Sequence, residues 1–305
     1  MTRFPAKLLL FGEYSILLGS SALSIPFKKF GASLEFINRE SGHQLESALE
    51  SNLQLSRLGN YFAQHEKLFG EILDIKRFNE DITRRLYCKS DIPQRYGMGS
   101  SGALCAALFH RFGKVQCDME AMRTLFMRME SFFHGKSSGF DPLLSWFGTP
   151  LLLDRSGVVN QVDPEQLSLA ENGLEMMLID SGVPCSTGPL VTNFLHKFQP
   201  GGKTTSTGDQ FCKLVDDSNY AMRTAGGAGF WEVLTLLSGF QLVELNHLIP
   251  IHLRPAWEEG LNTGMFSLKL CGSGGGGFLL CFTRKGENTI NWFRERNLEA
   301  VSVPM

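Results

Sequence analysis

The sequence lacks an excess of charge of either sign, and it has no long hydrophobic run. Lys and Arg total 29 against 31 Asp and Glu, which gives a net charge of −2. Proteins that bind nucleic acid or an anionic membrane by electrostatic attraction carry an excess of positive charge. A membrane-spanning helix needs roughly 18 apolar residues in a row. We therefore expect neither a nucleic-acid partner nor a membrane partner.

Paired cysteines are also missing. The seven cysteines are odd in number, and no two of them form a CxxC pair. Disulfide frameworks and structural zinc sites depend on paired, regularly spaced cysteines. Near the first residue, the apolar run at 8–11 is too short for the core of a signal peptide. The sequence predicts a cytoplasmic protein with reduced, buried thiols, and it leaves open whether the protein is a monomer or a homodimer.

The order of the predicted strands and helices indicates the fold class. Apolar patterning predicts strands at 7–11, 13–26, 31–37, 84–88, 150–153, 174–179, 267–271, 278–282 and 300–303. It predicts helices within 44–75 and at 100–112, 118–133 and 288–296. Strands and helices mix without strict alternation, which favours an α+β fold over a doubly wound parallel sheet. We expect an N-terminal domain at 1–170 and a C-terminal domain at 171–305.

Two glycine-rich segments, 97–102 and 272–277, match the pattern GxGxxG. In a dinucleotide-binding fold this pattern occupies a tight turn between a strand and a helix. The first segment is separated from the preceding predicted strand by a loop that contains Pro93, and the second leads into a strand. A nicotinamide or flavin site is therefore disfavoured.

Two further segments end like a P-loop, namely Gly135-Lys136-Ser137 and Gly202-Lys203-Thr204. A P-loop needs another glycine five positions before the one that precedes the lysine. Those positions hold Glu130 and Lys197. The spacing excludes a P-loop nucleoside triphosphatase.

The first glycine-rich segment leads into the helix predicted from Ser100. Unpaired N–H groups and the positive end of the helix dipole make such a helix start a binding site for phosphate oxygens. The hydroxyl groups of Ser100 and Ser101 add hydrogen-bond donors or a ligand for Mg²⁺. The alternative is an ordinary Gly/Ser loop that caps a helix.

Five stretches together resemble the GHMP kinases. They read PAKLLLFGEYSILLG at 5–19, PQRYGMGSSGALCAA at 93–107, ESFFHGKSSGFD at 130–141, DSGVPCSTGPLV at 180–191 and KLCGSGGGGF at 269–278. The third is similar to the E-x-x-x-H-G-x-P-S-G-x-D pattern of the mevalonate kinases in that family. Each motif alone is weak, whereas their occurrence in this order over nearly the whole chain is specific.

The resemblance implies a two-lobed fold. An N-terminal β-α lobe would carry the ATP site and the catalytic aspartate, and a ferredoxin-like C-terminal lobe would carry the last glycine motif. ATP and Mg²⁺ would be the cofactors, and a small-molecule alcohol would be the substrate.

The resemblance also implies the roles of individual residues. Asp141 matches the catalytic aspartate, and Lys7 matches the lysine beside it. Glu130 and Ser101 match the Mg²⁺ ligands. The residues expected at the ATP phosphates are Arg95, Gly97, Gly99, Ser100, Ser101 and Gly102. The residues expected on the acceptor side are Glu13, His134, Thr187, Gly272 and Gly274.

These residue types suit phosphoryl transfer, which needs positioning and charge neutralisation more than covalent work by the protein. Asp141 could act as the general base for the acceptor hydroxyl. Alternatively, Asp141 only orients that hydroxyl, while Lys7 and Mg²⁺ stabilise the developing charge. The sequence leaves both roles open.

Three positions depart from the family pattern. Arg95 stands where glycine is usual, Gly102 where alanine is common and Ser137 where proline is usual. The 130–141 stretch favours conversion of mevalonate to 5-phosphomevalonate. The alternatives are a phosphomevalonate kinase, a kinase for a different small hydroxy compound, and a catalytically silent family member.

Overall fold

The structure is a computed structural model that describes residues 2–38, 42–135, 137–167, 173–184, 187–224 and 227–304. The chain forms two compact units that interleave along the sequence. The first comprises Met1–Lys7, Pro26–Pro93 and Gly99–Gly148, and the second comprises Leu8–Ile25, Gln94–Met98 and Thr149–Met305. The boundary expected between residues 170 and 171 lies outside the described residues and stays a prediction.

The described strands and helices are as follows. The strands are β1 (Phe4–Phe11), β2 (Ala22–Phe36), β3 (Leu86–Ser90), β4 (Leu151–Leu153), β5 (Val159–Gln161), β6 (Glu175–Asp180), β7 (Phe266–Leu270), β8 (Phe278–Thr283) and β9 (Ala300–Val303). The helices are α1 (Gly42–Gln64), α2 (Glu66–Phe69), α3 (Ile75–Thr83), α4 (Ser100–Phe112), α5 (Met119–His134), α6 (Phe140–Phe147), α7 (Thr187–Phe198), α8 (Ser206–Thr224), α9 (Gly227–Glu244), α10 (Arg254–Thr263) and α11 (Gly286–Arg294). Within the described residues, none of these helices is long and apolar enough to cross a membrane.

In the first unit, α4 is the central helix. Every residue from Gly102 to Phe109 is buried, as expected for a helix that is apolar on all sides. Helices α5 and α6 pack against it. The antiparallel pair of β2 and β3, with Ala32 opposite Ser90, forms the sheet of this unit.

The second unit contains a four-stranded antiparallel sheet in the order β7-β8-β6-β9. Along the chain, β6 is followed by helices, then by β7 and β8, then by α11 and β9. This β-α-β-β-α-β succession with that strand order is the ferredoxin-like arrangement. The expected α+β fold and its ferredoxin-like C-terminal part are confirmed. The start of β2 also belongs to this unit and pairs with β4, which pairs with β5.

The structure differs from the predicted elements at two places close to residues expected at the site. The strand expected at 13–26 is wrong in its first half, because Ser15–Leu18 form a short 3-10 helix and β2 begins at Ala22. Helix α6 lies where no helix was expected. It is only eight residues long and starts after Gly139, which adopts φ 70°, so neither periodicity nor a polar N-cap side chain marks it.

The expectation of buried thiols holds for four of the six described cysteines, whereas Cys88 and Cys117 are half-buried. Cys105 and Cys281 are completely buried, and this burial raises the pKa of both thiols well above the ordinary value. Raised thiol pKa values oppose the reactive thiolate form. Cys185 lies outside the described residues.

Helices α4 and α6 approach each other closely at Gly102. A β-carbon at this position would lie 2.8 Å from the carbonyl carbon of Asp141 and 2.8 Å from the nitrogen of Pro142. Both are backbone atoms, so they cannot move aside as a flexible side chain could. The glycine at position 102 therefore permits the close packing of α6 on α4.

We expect Gly102→Ala to destabilise the protein by about 1–3 kcal/mol, because the added methyl group overpacks this contact. Gly239→Ala in α9 is the matched control, since no described atom lies within 4 Å of the place its β-carbon would take. The control should be neutral or stabilising by up to about 1 kcal/mol through helix propensity. Urea unfolding of both variants checks this, and equal stability of the two would contradict it.

Candidate active site

Lys7 and Asp141 form an ion pair in the first unit. The distance from Lys7 Nζ to Asp141 Oδ2 is 2.8 Å, and the exposed fractions of the two side chains are 11% and 27%. The pair is thus shielded from bulk water but open on one side. Limited solvent access strengthens the field that both groups exert on a bound molecule.

The local sequence explains why these two side chains meet. Strand β1 alternates buried and half-buried positions, and Lys7 lies between the buried Ala6 and Leu8. Asp141 lies in the first turn of α6, where a carboxylate is favoured by the helix dipole. One turn later, Ser145 Oγ donates a 2.9 Å hydrogen bond to the carbonyl of Pro5. The strand and the helix are therefore held together at two places, and the ion pair is preorganised.

The start of α4 lies directly beside this pair. Gly99 caps the helix with φ 70°. A β-carbon on Gly99 would lie 3.2 Å from Lys7 Cβ and 3.4 Å from Asp141 Oδ2. Ser100 and Ser101 follow as the first helical residues. The N–H groups that a helix start leaves without a helical partner are thus next to the lysine and the aspartate.

Glu130 on α5 extends the site. Its side chain is buried, Ser101 Oγ donates a 2.9 Å hydrogen bond to Oε1, and Ser137 Oγ donates to Oε2. Burial and then the negative charge of Asp141 raise the pKa of Glu130 to about 7, although the two serine hydrogen bonds and the charge of Lys7 oppose this increase. A carboxylate in this setting gains stability from a cation.

The donors at this place fit Mg²⁺. Magnesium takes oxygen ligands, and it is commonly bound through one or two carboxylates together with substrate phosphates rather than by an all-protein cage. The Glu130 carboxylate and the Ser101 hydroxyl are oxygen donors next to a helix start that suits phosphate. Within the described residues, no cluster of three or more His, Cys, Asp or Glu side chains could hold a metal ion.

In the second unit, Gly97, the first residue of the first glycine-rich segment, lies against the second glycine-rich segment, 272–277. A β-carbon on Gly97 would be 3.5 Å from the Cα of Gly272, and one on Gly277 would be 3.1 Å from the Cα of Tyr96. Tyr96 also donates a 3.1 Å hydrogen bond to Asp180 Oδ1. The segment at 94–98 is therefore held by the end of β6 and by the last glycine motif.

The other residues predicted at the site lie in different surroundings. Arg95 is exposed and adopts φ 63°, a left-handed conformation that favours glycine. The side chain of Glu13 is fully buried and paired with Lys269. Gly274 packs on Leu248. The side chains of His134 and Thr187 lie outside the described part of the chain. The roles expected of all these residues stay predictions.

Three residues described in the two units, Ser137 in the first and Tyr96 and Lys269 in the second, were not singled out from the sequence. Ser137 was seen only as a replacement for proline, whereas it binds Glu130. Tyr96 and Lys269 lie inside quoted motifs, but they received no role there. Lys269 stands between two leucines, three residues before a glycine-rich segment. That position was the available signal, because a lysine in an apolar strand is buried only when it is paired, which indicates a buried acidic partner.

Comparison with known proteins supports the family resemblance. The family model described as the GHMP kinases N terminal domain matches residues 63–149. A mevalonate kinase of Archaeoglobus fulgidus is 31% identical over 149 residues. That match covers 47% of this chain and 49% of the relative, so it spans about half the length of the curated relative.

Solved structures share the fold over almost the whole chain. The Methanococcus jannaschii mevalonate kinase superposes with a TM-score of 0.66 at 17% identity, covering 99% of this chain and 96% of that one. The Streptococcus pneumoniae phosphomevalonate kinase superposes with a TM-score of 0.60 at 16% identity, covering 98% and 97%. The predicted resemblance is confirmed: residues 63–149 match the model of the GHMP kinases N terminal domain, and the chain shares the fold of these solved kinase structures.

Proposed function

We propose that this protein is an ATP- and Mg²⁺-dependent kinase that transfers the γ-phosphoryl group to the hydroxyl of a small molecule. Mevalonate, converted to 5-phosphomevalonate, is the first candidate acceptor. The observation that carries the proposal is the 2.8 Å ion pair of Lys7 and Asp141 beside Gly99 at the start of α4. Ser100, Ser101 and Glu130 lie in the same unit of the protein as that pair.

Each group has a distinct task in this proposal. The N–H groups at the start of α4 and the hydroxyl of Ser100 hold phosphate oxygens. Asp141 accepts the proton of the acceptor hydroxyl or holds that hydroxyl in line for attack. Lys7 donates a hydrogen bond to Asp141, and it stabilises negative charge that develops on the acceptor oxygen.

Glu130 and Ser101 would hold Mg²⁺. When bound, the ion neutralises phosphate charge and orients the phosphate chain. Hydrogen bonds from Ser101 and Ser137 fix the orientation of the Glu130 carboxylate. Such supporting hydrogen bonds are a common feature of metal-binding carboxylates.

Similarity to the Archaeoglobus fulgidus mevalonate kinase and the 130–141 stretch support mevalonate as the acceptor. Phosphomevalonate is the second candidate, because the Streptococcus pneumoniae phosphomevalonate kinase shares the fold. Under this proposal the partner is a small molecule.

The direct test is to incubate the purified protein with Mg-ATP and a panel of mevalonate, phosphomevalonate, homoserine and galactose, and to follow ADP release. We expect ADP release with mevalonate. Release only with another alcohol would reject mevalonate and keep the kinase. ATP binding without ADP release from any alcohol would indicate a silent family member, and preference for NAD over ATP would reject the proposal.

Asp141→Asn should lower kcat by roughly 10²–10⁴-fold, because both roles of Asp141 need the carboxylate. The KM for ATP should change little, since the helix start that holds the phosphates is retained. Asp118→Asn is the matched control: Asp118 accepts a hydrogen bond from Ala121 N as the N-cap of α5, and asparagine caps equally well. Steady-state kinetics of both variants checks this, and near-normal turnover of Asp141→Asn would show that the assignment is wrong.

Glu130→Gln should raise the Mg²⁺ concentration needed for half-maximal activity by roughly 10-fold or more, because an amide is a weaker ligand than a carboxylate. Glu120→Gln on the exposed face of the same helix is the control. The measurement is a magnesium titration at fixed ATP. Coincident titration curves for Glu130→Gln and the wild type would count against the ligand role.

A further inference from the structure

Lys269 is the fully buried cation of the ferredoxin-like unit. All five residues of β7 are buried, and the exposed fractions of the Lys269 and Glu13 side chains are both 0%. Lys269 Nζ donates to Glu13 Oε1, and it donates a 2.5 Å hydrogen bond to the carbonyl of Leu270. It also lies 5.4 Å from the centre of the Phe11 ring. Each of these contacts compensates part of the cost of burying the charge.

The pair joins two segments that carry sequence motifs. Glu13 lies in the turn after β1, between Gly12 with φ 121° and Tyr14 with φ 59°. Lys269 lies in β7, three residues before Gly272. The next residue after Glu13, Tyr14, donates a 2.5 Å hydrogen bond to the carbonyl of Ser273. The turn is therefore fastened at two points, to β7 through Lys269 and to the glycine-rich segment through Ser273.

The glycine-rich segment depends on such fastening. Four of its residues, Gly272, Gly274, Gly275 and Gly277, adopt positive φ, and glycine has little intrinsic preference for one conformation. Its described anchors are hydrogen bonds that lie outside the segment's own sequence. Within the segment they are Gly275 N to Leu248 O at 2.5 Å, Gly277 N to Val183 O at 2.7 Å and the hydrogen bond from Tyr14 to Ser273. Just before the segment, β7 is held by Leu270 N to Gln241 Oε1 at 2.8 Å and by the pair of Lys269 and Glu13.

We propose that Lys269 and Glu13 act as a pair of positioning residues that fixes the glycine-rich segment 272–277, and through it Gly97, and that Glu13 does not touch the acceptor. This role rests on the proposed kinase function, because the segments concerned are the predicted phosphate and acceptor loops. Complete burial of the Glu13 side chain supports it. A β-carbon on Gly272 would lie 3.4 Å from the Cα of Gly97, so the backbones of the two glycines are close neighbours, and we expect the position of Gly97 to depend on that of the segment.

A double-mutant cycle tests the pair. Lys269→Met leaves the Glu13 carboxylate buried without its cation, and Glu13→Gln leaves the Lys269 ammonium group buried without its anion. Removing one partner of a buried ion pair destabilises a protein far more than removing both. We expect each single variant to lower the midpoint of thermal unfolding by roughly 10 °C. We expect the double variant to recover at least half of that loss. Additive losses in the double variant would overturn the pairing.

Hydrogen exchange of the peptide that covers 271–277 tests the positioning. Lys269→Met and Tyr14→Phe should both speed exchange there by roughly 10-fold or more, because they remove anchors of the segment. Val303→Ala is the control, since β9 lies at the opposite edge of the same sheet; it should leave exchange at 271–277 unchanged. Unchanged exchange in both Tyr14→Phe and Lys269→Met would overturn the proposal. Tyr14→Phe loses only a hydroxyl, so it keeps the test valid if Lys269→Met fails to fold.

Steady-state kinetics distinguishes a positioning role of Glu13 from direct contact between Glu13 and the acceptor. If Glu13 acts through Lys269, Glu13→Gln and Lys269→Met each reduce kcat/KM by roughly 10-fold or more for both substrates, and the double variant loses less than the product of the two. If Glu13 touches the acceptor, Glu13→Gln raises only the KM of the acceptor, whatever residue stands at 269, and the proposal is rejected. Faster exchange at 271–277 without phosphoryl transfer by the wild type would reject the kinase function and leave the anchoring intact.

Discussion

The ion pair of Lys7 and Asp141 is the interaction on which the proposed chemistry depends. It can form because α6 packs closely enough on α4 to bring the first turn of α6 to β1, and the glycine at 102 permits that packing. The hydrogen bond from Ser145 to Pro5 then fixes the register between helix and strand. A flexible lysine loses side-chain entropy when it is held in one place, so this second attachment lowers the cost of keeping the pair aligned before any substrate binds.

The two glutamates that are buried in the described part of the chain lie in opposite environments. Glu130 is buried near another carboxylate and receives hydrogen bonds from serines, and its pKa is raised to about 7, which suits it to the proposed role of Mg²⁺ ligand. Glu13 is buried against the protein's own cation, Lys269. A carboxylate already neutralised by a lysine has little to gain from a second cation or from a substrate hydroxyl. Burial and charge partner, rather than residue type, therefore separate the proposed ligand from the proposed positioning residue.

Parts of this arrangement could be predicted from the sequence because the signal was local. The helix at 100–112 was predicted with its observed limits, since a Gly/Ser start and a continuous apolar run mark it. The helix predicted at 118–133 corresponds to α5, which begins at Met119 after its N-cap Asp118. By contrast, β2 continues through Pro26 as one strand of 15 residues, although proline usually interrupts a sheet. The pairing of Glu13 with Lys269 joins residues 256 positions apart, and no periodicity or spacing rule reports such a contact.

The departures from the family pattern keep the geometry that the proposed reaction needs. Where proline is usual, Ser137 accepts a 2.9 Å hydrogen bond from Gly139 N and donates to Glu130. Proline stiffens a turn by fixing φ, whereas Ser137 stiffens the same turn by a hydrogen bond and also aims the carboxylate. The turn ends at Gly139, which caps α6 and so sets the position of Asp141 in its first turn. A single serine thus connects the proposed metal ligand with the proposed catalytic aspartate, and this link explains how the chain can dispense with the proline.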